Sequence, residues 1–346
     1  MNSFSAEILR WFRENGRDLP WRETRDPYAI WLSEIILQQT RIAQGWEYWE
    51  RFMQTYPKVE DLAAASEDDV LKLWQGLGYY SRARNLHTAA KQIVALGDFP
   101  NTLEGIKSLK GVGDYTAAAI GSFAFDIPAA VVDGNVYRVL SRYFGIDTPI
   151  NSTQGKKEFA ALAQSLLPAS DAASYNQGMM DFGAIQCTPQ SPKCLLCPLA
   201  ETCEALRCGR VEELPVKNKT VKVKTRHLSY IYIRCKSSAA DGTGKSEPMV
   251  AIHRRGEGDI WQGLWEPYNV SDVKELPSFV KNPILLAKDV KHVLTHRILL
   301  ADFYLLETES RPPLPDDYIW IKESEIEDYG VPRLIEIMLE KINSAE

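Results

Sequence analysis

Apolar residues recur every three or four positions through the first two hundred residues, which is the period of an amphipathic helix. Asp26 followed by Pro27 is typical of a helix start, because aspartate caps a helix and proline fits its first turn. Strand-like alternation is nearly absent before residue 208. The pattern predicts these helices: Tyr28–Thr40, Asp69–Leu77, Ala83–Ala95, Tyr115–Phe125, Val136–Phe144, Lys156–Leu166 and Ser174–Ile185.

The pattern changes after residue 208, where runs rich in β-branched and aromatic residues appear. A Ser- and Gly-rich stretch from Lys236 to Pro248 predicts a flexible loop, and Val331–Ile342 predicts a final helix. The fold class expected is therefore an all-α domain followed by a smaller α+β domain. The predicted strands are His227–Cys235, Met249–His253, Lys291–Leu294 and Ala301–Glu307.

Composition limits the class of protein. The chain has 346 residues, 45% of them hydrophobic and 25% charged, as in soluble globular proteins long enough for two domains. No apolar run reaches the roughly eighteen residues of a membrane span, and the N-terminus lacks a secretory signal. We therefore expect a cytoplasmic protein without a membrane partner. A net charge of −6 argues against coating nucleic acid by bulk charge, so any polyanion must meet local basic patches.

Charge is uneven along the chain. Residues 209–227 contain six basic and two acidic residues, whereas the flanking parts 1–208 and 228–346 are both acidic. This contrast predicts a basic linker over 209–227 between two domains. The part from Leu214 to Arg226 has five basic residues and no acid, a cationic face explained equally well by phosphate contacts and by a solvated connector; these residues are Lys217, Lys219, Lys222, Lys224 and Arg226.

A turn with two glycines precedes one of the predicted helices. Gly111 and Gly113 lie between the apolar Leu109 and the helix start, so backbone N–H groups there can face an anion such as phosphate. About twenty residues later Asp133 lies at the mouth of a second helix. Taken alone, these features also fit an ordinary helix end followed by an N-cap aspartate.

Four cysteines lie within seventeen residues of one another. Their spacing is Cys-x6-Cys-x2-Cys-x5-Cys, and without secretion metal ligation is favoured over disulfides. Four thiolates suit zinc or an iron–sulfur cluster, and ligand softness does not choose between them. Cys208 and Cys235 lie outside the spacing and are expected to be small core residues. The predicted ligands are Cys187, Cys194, Cys197 and Cys203.

These motifs together resemble the adenine DNA glycosylases of the helix-hairpin-helix base-excision superfamily, over essentially the whole chain. The resemblance implies a glycosylase domain over 1–208, a [4Fe–4S] cluster in the loop 187–203, and a Nudix-like lesion-recognition domain over 228–346. The implied activity is hydrolytic removal of adenine mispaired with 8-oxoguanine or guanine in duplex DNA, by a monomer, leaving an abasic site. The matching motifs are Trp31–Thr40, Gly78–Arg84, Gly111–Thr116, Val132–Asn135 and the four cysteines.

Two carboxylates suit this reaction for reasons that are independent of the resemblance. Glu34 lies mid-helix among apolar neighbours, so desolvation would keep it protonated as a general acid, although a surface glutamate is the alternative. Asp133, as an N-cap, should be held ionised by N–H donors and the helix dipole. Such a pair could protonate a leaving adenine and stabilise a cationic sugar.

The resemblance assigns further roles. Tyr115 and Asn135 would orient the catalytic site, while Trp21 and Arg22 would hold the adenine. Gln39 and Tyr79 match the family's residues that fill the gap left by a rotated base, and Thr40 matches a contact to the opposite base. Gly111 and Gly113 would grip DNA phosphate. Taken singly, Tyr79 is more typical of a core aromatic.

In the second domain the resemblance implies a loop that recognises 8-oxoguanine. The family's Phe-Ser-His sequence is replaced here by Leu294-Thr295-His296, which keeps a hydroxyl and the histidine but loses the aromatic ring. A polar strand end is the alternative explanation for these residues. The Arg-Glu-x-x-Glu-Glu run with which a Nudix hydrolase binds metal is absent from the sequence, so this domain should bind without hydrolysing.

Particular residues of the sequence argue against two alternative functions. An endonuclease III-like lyase acting on oxidised pyrimidines would place a nucleophilic lysine where this chain has Tyr115, and would lack the long C-terminal domain. A non-catalytic DNA-binding protein carrying zinc or a cluster would not need Glu34 and Asp133 together. The residues therefore favour a monofunctional glycosylase.

Overall fold

The computed structural model describes residues 3–218, 223–236, 247–271 and 276–345. The chain divides into two compact units, one made of residues 1–64 and 85–219 and the other of 65–84 and 220–346. The segment 65–84, which precedes most of the helical residues in sequence, thus groups with the C-terminal part. The domain limits 1–208, 209–227 and 228–346 stay a prediction.

Helices account for the regular structure of the first unit, and within the described residues 3–218 no strand occurs. The all-α expectation is confirmed. The helix α5 and the first turn of α6 belong to the second unit. In chain order the helices are α1 Ser3–Asn15, α2 Pro27–Ile36, α3 Ile42–Thr55, α4 Val59–Ala64, α5 Glu67–Leu73, α6 Ser81–Leu96, α7 Leu103–Lys107, α8 Asp114–Phe125, α9 Gly134–Phe144, α10 Thr153–Leu166, α11 Ala172–Asp181 and α12 Glu204–Arg207.

The predicted helix Tyr28–Thr40 is four residues too long. Asp26 caps α2 through a bond from the Tyr28 N–H, but the helix ends at Ile36. Gln39 then has φ 59°, a left-handed conformation that no α-helix contains. The apolar pattern continued past the helix because the turn after it is still partly buried. The prediction also missed α1, α3, α4, α7 and α12.

One apolar cluster holds together the elements that carry the candidate catalytic residues. It joins Ile30 of α2, Ala118 and Ala119 of α8, and Ala129 and Val131 of the irregular segment that precedes α9. The alanines let the helices approach closely, and α2 and α8 pack along one another. Glu34, Tyr115 and Asp133 are therefore attached to a common rigid support.

The second unit is built on a mixed sheet. The parallel pair β1–β6 forms its centre, with β2 and then β3 beyond β1 and β5 beyond β6. Two further strands are paired antiparallel, β4 with β1 and β7 with β2. The strands are β1 Lys224–Cys235, β2 Met249–Arg254, β3 Trp265–Glu266, β4 Tyr268–Ser271, β5 Ile284–Val293, β6 Arg297–Thr308 and β7 Tyr318–Lys322.

The C-terminal helix α13, Arg333–Ala345, covers one face of this sheet. Its Leu334, Ile335 and Met338 are buried against Tyr230 and Phe303 of the central strands. A sheet with one helix on it confirms the predicted α+β class. The first residues of β1, from Lys224 onward, pair with β6. The strand therefore begins inside the predicted linker 209–227.

Some expectations lie outside the described residues. These are the linker lysines Lys219 and Lys222 and most of the predicted loop from Lys236 to Pro248. Among the helices that the structure describes, none is both long and apolar enough to cross a membrane.

Candidate active site

Glu34 is buried in the middle of α2, with 6% of its surface exposed. Burial raises the pKa of its carboxyl to about 7, and the negative charge of Asp133 adds to the rise. A hydrogen bond from Tyr115 and the positive charge of Arg22 oppose it. The surface-glutamate alternative is thus wrong, and Glu34 can hold a proton near neutral pH.

Tyr115 lies in the first turn of α8 and reaches across to α2. Its hydroxyl donates to Glu34 Oε2 at 2.9 Å, leaving Oε1 without a bond from this tyrosine. Burial raises the pKa of the Tyr115 hydroxyl well above its usual value, and the nearby carboxylates raise it further. Tyr115 therefore acts only as a hydrogen-bond donor and fixes the rotamer of the acid.

Asp133 caps α9, as its position in the sequence predicts. Its Oδ1 accepts the Val136 N–H at 2.7 Å, and its Oδ2 accepts the side-chain amide of Asn135 at 2.7 Å. Burial raises the pKa of this carboxyl, and it outweighs both Arg138 and the donors that were expected to hold Asp133 ionised. The two hydrogen bonds that Asp133 accepts still favour its ionised form. Glu34 differs, because the hydrogen bond described for it comes from Tyr115.

Arg138 connects Asn135 to the cysteine loop. Its Nη2 donates to Asn135 Oδ1 at 2.8 Å and to the Gly183 carbonyl at 2.6 Å, while its Nε donates to the Cys187 carbonyl at 2.8 Å. These bonds fix the side-chain amide of Asn135 so that its NH₂ group faces Asp133. Only glycine fits at 183, since a Cβ there would lie 2.6 Å from Asn135 Cβ.

Arg22 is held by a carboxylate that the sequence reasoning missed. Asp181 is fully buried at the end of α11. Its two carboxylate oxygens accept hydrogen bonds from the two terminal nitrogens of Arg22, each at 2.8 Å. It also accepts the backbone N–H and the guanidinium of Arg17. Burial opposes ionisation of Asp181, but the bonds from Arg22 and Arg17 lower its pKa. The predicted adenine-holding arginine is therefore fixed in place near Glu34.

Trp21, the second residue expected to hold adenine, is buried. Its ring makes edge contacts with Trp46 and Trp49 of α3, at centroid distances of 6.0 and 5.8 Å. Trp49 in turn donates its indole N–H to the Ala29 carbonyl of α2. This group of indoles forms one wall beside the helix that carries Glu34.

The glycine turn connects α7 and α8 as a helix-hairpin-helix. Gly111 has φ +80°, and a Cβ there would lie 2.7 Å from Asn85 Cβ, so a side chain is excluded on two grounds. Gly113 is exposed, precedes α8 directly and has no atom near its Cβ position. The helix α8 therefore begins directly after an exposed glycine. The N–H groups of its first turn are the ones that the sequence predicts to bind an anion.

Residues after α2 have the exposure expected of a DNA contact. Gln39 is exposed with φ 59°, and Thr40 is partly exposed. The preceding Gln38 donates to the Thr116 hydroxyl of α8 at 3.3 Å, which fixes the turn on the hairpin helix. Gln39 and Thr40 thus lie at the surface of the first unit.

In the second unit, Tyr79 contacts the predicted lesion-recognition loop. Tyr79 is 48% exposed and has φ 47°, so the core-aromatic alternative is wrong. Its hydroxyl is 2.5 Å from the Thr295 hydroxyl. Leu294, Thr295 and His296 form the turn between β5 and β6, and Thr295 and His296 are exposed.

The four cysteines line one pocket together with Arg142. Within the described residues no three cysteines, histidines or carboxylates converge closely enough to hold a single metal ion, as structural zinc requires. An iron–sulfur cluster spreads its thiolates around a larger cage and fits this arrangement better. Arg142 donates to Cys187 Sγ at 3.4 Å and to the Thr188 carbonyl at 2.7 Å, which provides charge compensation for thiolates.

The remaining cysteines differ from each other. Cys235 is buried in β1, as expected. Cys208 is exposed at the end of α12, where its thiol donates to Glu204 Oε1 at 3.2 Å, so the expectation of a core residue is wrong. Cys208 directly follows the four-residue helix α12.

Three family models match the chain. Residues 32–168 match the HhH-GPD superfamily base excision DNA repair protein, 244–341 a NUDIX domain, and 187–203 the iron–sulfur binding domain of endonuclease III. An adenine DNA glycosylase of Buchnera aphidicola from Schizaphis graminum is 30% identical over 355 residues, covering 97% of this chain and 98% of that protein. The chain belongs to the adenine DNA glycosylase family.

Longer members of the adenine DNA glycosylase family match only in part. The mouse protein is 42% identical over 229 residues, which are 62% of this chain and 44% of the mouse protein. The human protein is 42% identical over 225 residues, or 62% and 41%. The matched region thus spans less than half of these two relatives.

Solved structures agree with the helical fold. A thermostable thymine-DNA glycosylase has a TM-score of 0.56 at 35% identity, and the match covers 59% of this chain and 95% of that chain. A trapped endonuclease III–DNA covalent intermediate has a TM-score of 0.52 at 24% identity, which supports the fold alone. Membership of the family, together with the match at 187–203, confirms the predicted iron–sulfur cofactor.

Proposed function

We propose that this protein is an adenine DNA glycosylase that hydrolyses the N-glycosidic bond of adenine mispaired with 8-oxoguanine or guanine. The observation that carries the proposal is the pairing of two unlike carboxylates. Glu34 is buried, has a pKa raised to about 7 and is fixed by Tyr115. Asp133 receives hydrogen bonds on both oxygens. N-glycosidic cleavage requires a proton donor and a carboxylate that stabilises a cationic sugar, and the different hydrogen bonding of these two groups suits them to those two roles.

Glu34 would act first, after the adenine has been rotated out of the duplex. Its proton goes to N7 of the base, which then leaves as a neutral species when the C1′–N9 bond breaks. Burial raises the pKa of Glu34 to about 7, so a large share of the carboxyls is protonated at neutral pH, and the bond from Tyr115 restrains the side chain that donates. General acid catalysis of this type contributes about 10²- to 10⁴-fold.

Asp133 would stabilise the sugar cation that forms as the bond breaks. Asn135 and the Val136 N–H fix its two oxygens, so the carboxylate needs no reorientation during the reaction. Transient attack of the carboxylate on C1′ is available, as in retaining glycosidases. Water then adds its hydroxide to C1′, and the proton it gives up restores Glu34.

Tyr115 supports a monofunctional reaction. A lyase needs an amine that forms a Schiff base with C1′, and in endonuclease III-like enzymes a lysine supplies it at this position. Here the side chain is a phenol with a raised pKa that is already bonded to Glu34. The product would therefore be an intact strand with an abasic site.

The test of the proposal is excision from four duplexes that carry adenine opposite 8-oxoguanine, guanine, cytosine or thymine. We expect adenine release from the first two, and strand breaks only after alkaline treatment. A duplex with an oxidised pyrimidine serves as the matched control for endonuclease III activity. Release of that pyrimidine, or breaks without alkali, would contradict the proposal.

The second unit would recognise the base opposite adenine. Tyr79 and the β5–β6 turn meet at the Thr295 hydroxyl, and both are exposed. A hydroxyl can bond the N7–H that distinguishes 8-oxoguanine from guanine, and a good base contact is worth about 1–3 kcal/mol. The tie to Tyr79 limits the directions in which the Thr295 hydroxyl can point.

We expect Thr295→Val to lower the preference for 8-oxoguanine over guanine by about five- to a hundredfold, the equivalent of one base contact. Valine keeps the shape of threonine and removes only the hydroxyl. The measurement is the ratio of single-turnover excision rates on A:8-oxoguanine and A:G duplexes. Thr308→Val, at the far end of β6, is the matched control. An unchanged ratio in Thr295→Val would remove Thr295 from lesion recognition.

Point substitution is a better test here than truncation after Arg226. Lys72 donates to the Tyr329 carbonyl at 3.3 Å, and Gln75 donates to Glu336. Both belong to the segment 65–84, which packs with the C-terminal part of the chain. Truncation would strip this segment of its partners and also disturb Tyr79.

The excision rate should depend on pH through Glu34. A general acid acts while protonated, so the single-turnover rate should approach its maximum about one unit below the pKa of about 7 and fall as pH rises through that pKa. The measurement is the rate constant from pH 5.5 to 8.5, a range of about 1.5 units on either side. A rate that instead rises with pH across this range would mean that Glu34 acts as a base.

A further inference from the structure

The irregular segment 128–133 delivers Asp133 to the site, yet it has no regular structure of its own. Two side-chain amides hold it instead. Gln164 of α10 accepts the Ala130 N–H at 3.0 Å and donates to the Pro128 carbonyl at 2.9 Å. This amide lies on the exposed side of the segment.

Asn176 of α11 does the same on the buried side. Its Oδ1 accepts the Val131 N–H at 3.1 Å, and its Nδ2 donates to the Ala129 carbonyl at 2.9 Å. Gln164 thus bonds residues 128 and 130, and Asn176 bonds residues 129 and 131. The backbone hydrogen bonds of the segment point to its two sides in turn, as they do in a strand between two neighbours. Asn176 is 1% exposed, so bulk solvent does not reach the groups that it bonds.

Asn176 also contacts the helix that carries Tyr115. Its Nδ2 donates to Ser122 Oγ of α8 at 3.1 Å. The amide thus ties α8 to the backbone two residues before Asp133. Val131 itself packs in the apolar cluster with Ile30 of α2, one turn before Glu34.

We infer that Asn176 is a positioning residue that sets the Asp133 carboxylate relative to Glu34 and Tyr115. It touches neither carboxylate and acts through its bonds to the backbone of Ala129 and Val131 and to the Ser122 hydroxyl of α8. The inference rests on the proposed role of Asp133. It gives α11 a second positioning task, since Asp181 at the end of the same helix holds Arg22.

The test separates chemistry from DNA binding. In Asn176→Ala we expect the single-turnover excision rate on A:8-oxoguanine to fall about ten- to a hundredfold, because small displacements of a catalytic group are costly. The dissociation constant for a duplex with an uncleavable adenine analogue should stay within about twofold, because no DNA contact is lost. A purely structural role would lower the melting temperature without this split.

Gln164→Ala is the matched control, because it removes the same kind of bond from the same segment where water can replace it. We expect it to keep the wild-type rate within about threefold. Asn176→Asp keeps the shape and the acceptor for Val131 but loses the donor, and should also be slow. It provides the second test if the alanine variant does not fold.

The outcomes distinguish this inference from the proposed function. A wild-type rate in either folded Asn176 variant, or equal losses in Asn176→Ala and Gln164→Ala, overturns the positioning role. If Asp133→Asn itself excises adenine normally, the proposed role of Asp133 fails first. A slow Asn176 variant with an inactive Asp133→Asn supports both.

Discussion

Replacing Glu34 with glutamine is expected to slow adenine release by about 10²- to 10⁴-fold, the contribution of a general acid. Glutamine fills the same space in α2, and its carbonyl oxygen can still accept the bond from Tyr115. It cannot give a proton to adenine N7. The measurement is single-turnover excision on an A:8-oxoguanine duplex.

Duplex binding should survive this substitution, because Glu34 is buried and makes no phosphate contact. The fall in rate above pH 7 should vanish with the carboxyl. Glu14→Gln, on the exposed face of α1, removes a charge without touching the site and should behave as wild type. Normal excision by Glu34→Gln would exclude Glu34 as the acid.

Asp133→Asn is expected to lower the same rate by about 10²- to 10³-fold, as when one preorganised charged group is lost. The variant loses the negative charge that would stabilise the sugar cation. It also sets an NH₂ group against the NH₂ of Asn135, which Arg138 holds in a fixed orientation. The excision rate and the melting temperature should be measured together.

Asp26→Asn is the matched control for the cap. Asp26 caps α2 as Asp133 caps α9, by accepting an N–H in the first turn, but it is exposed and outside the site. Asparagine and aspartate cap about equally well, so Asp26→Asn should keep its stability within about 0.5 kcal/mol. Equal rates in the two variants would leave Asp133 as a cap only.

The sequence predicts what depends on local pattern. The burial of Glu34 follows from Ile30 and Trp31 on the same helix and from Leu37 directly after it. The N-cap role of Asp133 follows from its position before α9. The glycine hairpin and the class of each half of the chain also follow from local signals. The four-cysteine spacing narrowed the cofactor to two kinds of metal group.

Long-range partners are not contained in such patterns. Asp181 lies 159 positions from Arg22, and no local sequence signal near either residue predicts their ion pair. The pKa direction of Asp133 depends on how deeply the folded chain buries it, which a cap motif does not specify. Asn176 looks like any polar residue on a helix until the backbone that it bonds is known.

The left-handed backbone at Gln39 and Tyr79 affects how substitutions there should be interpreted. For residues other than glycine this conformation costs about 1–2 kcal/mol, and β-branched side chains tolerate it least. Valine or isoleucine at either position would therefore destabilise the fold as well as remove a proposed DNA contact. Asparagine or glycine would relieve the backbone, so a saturation survey should rank them above valine for stability even where all three lose activity.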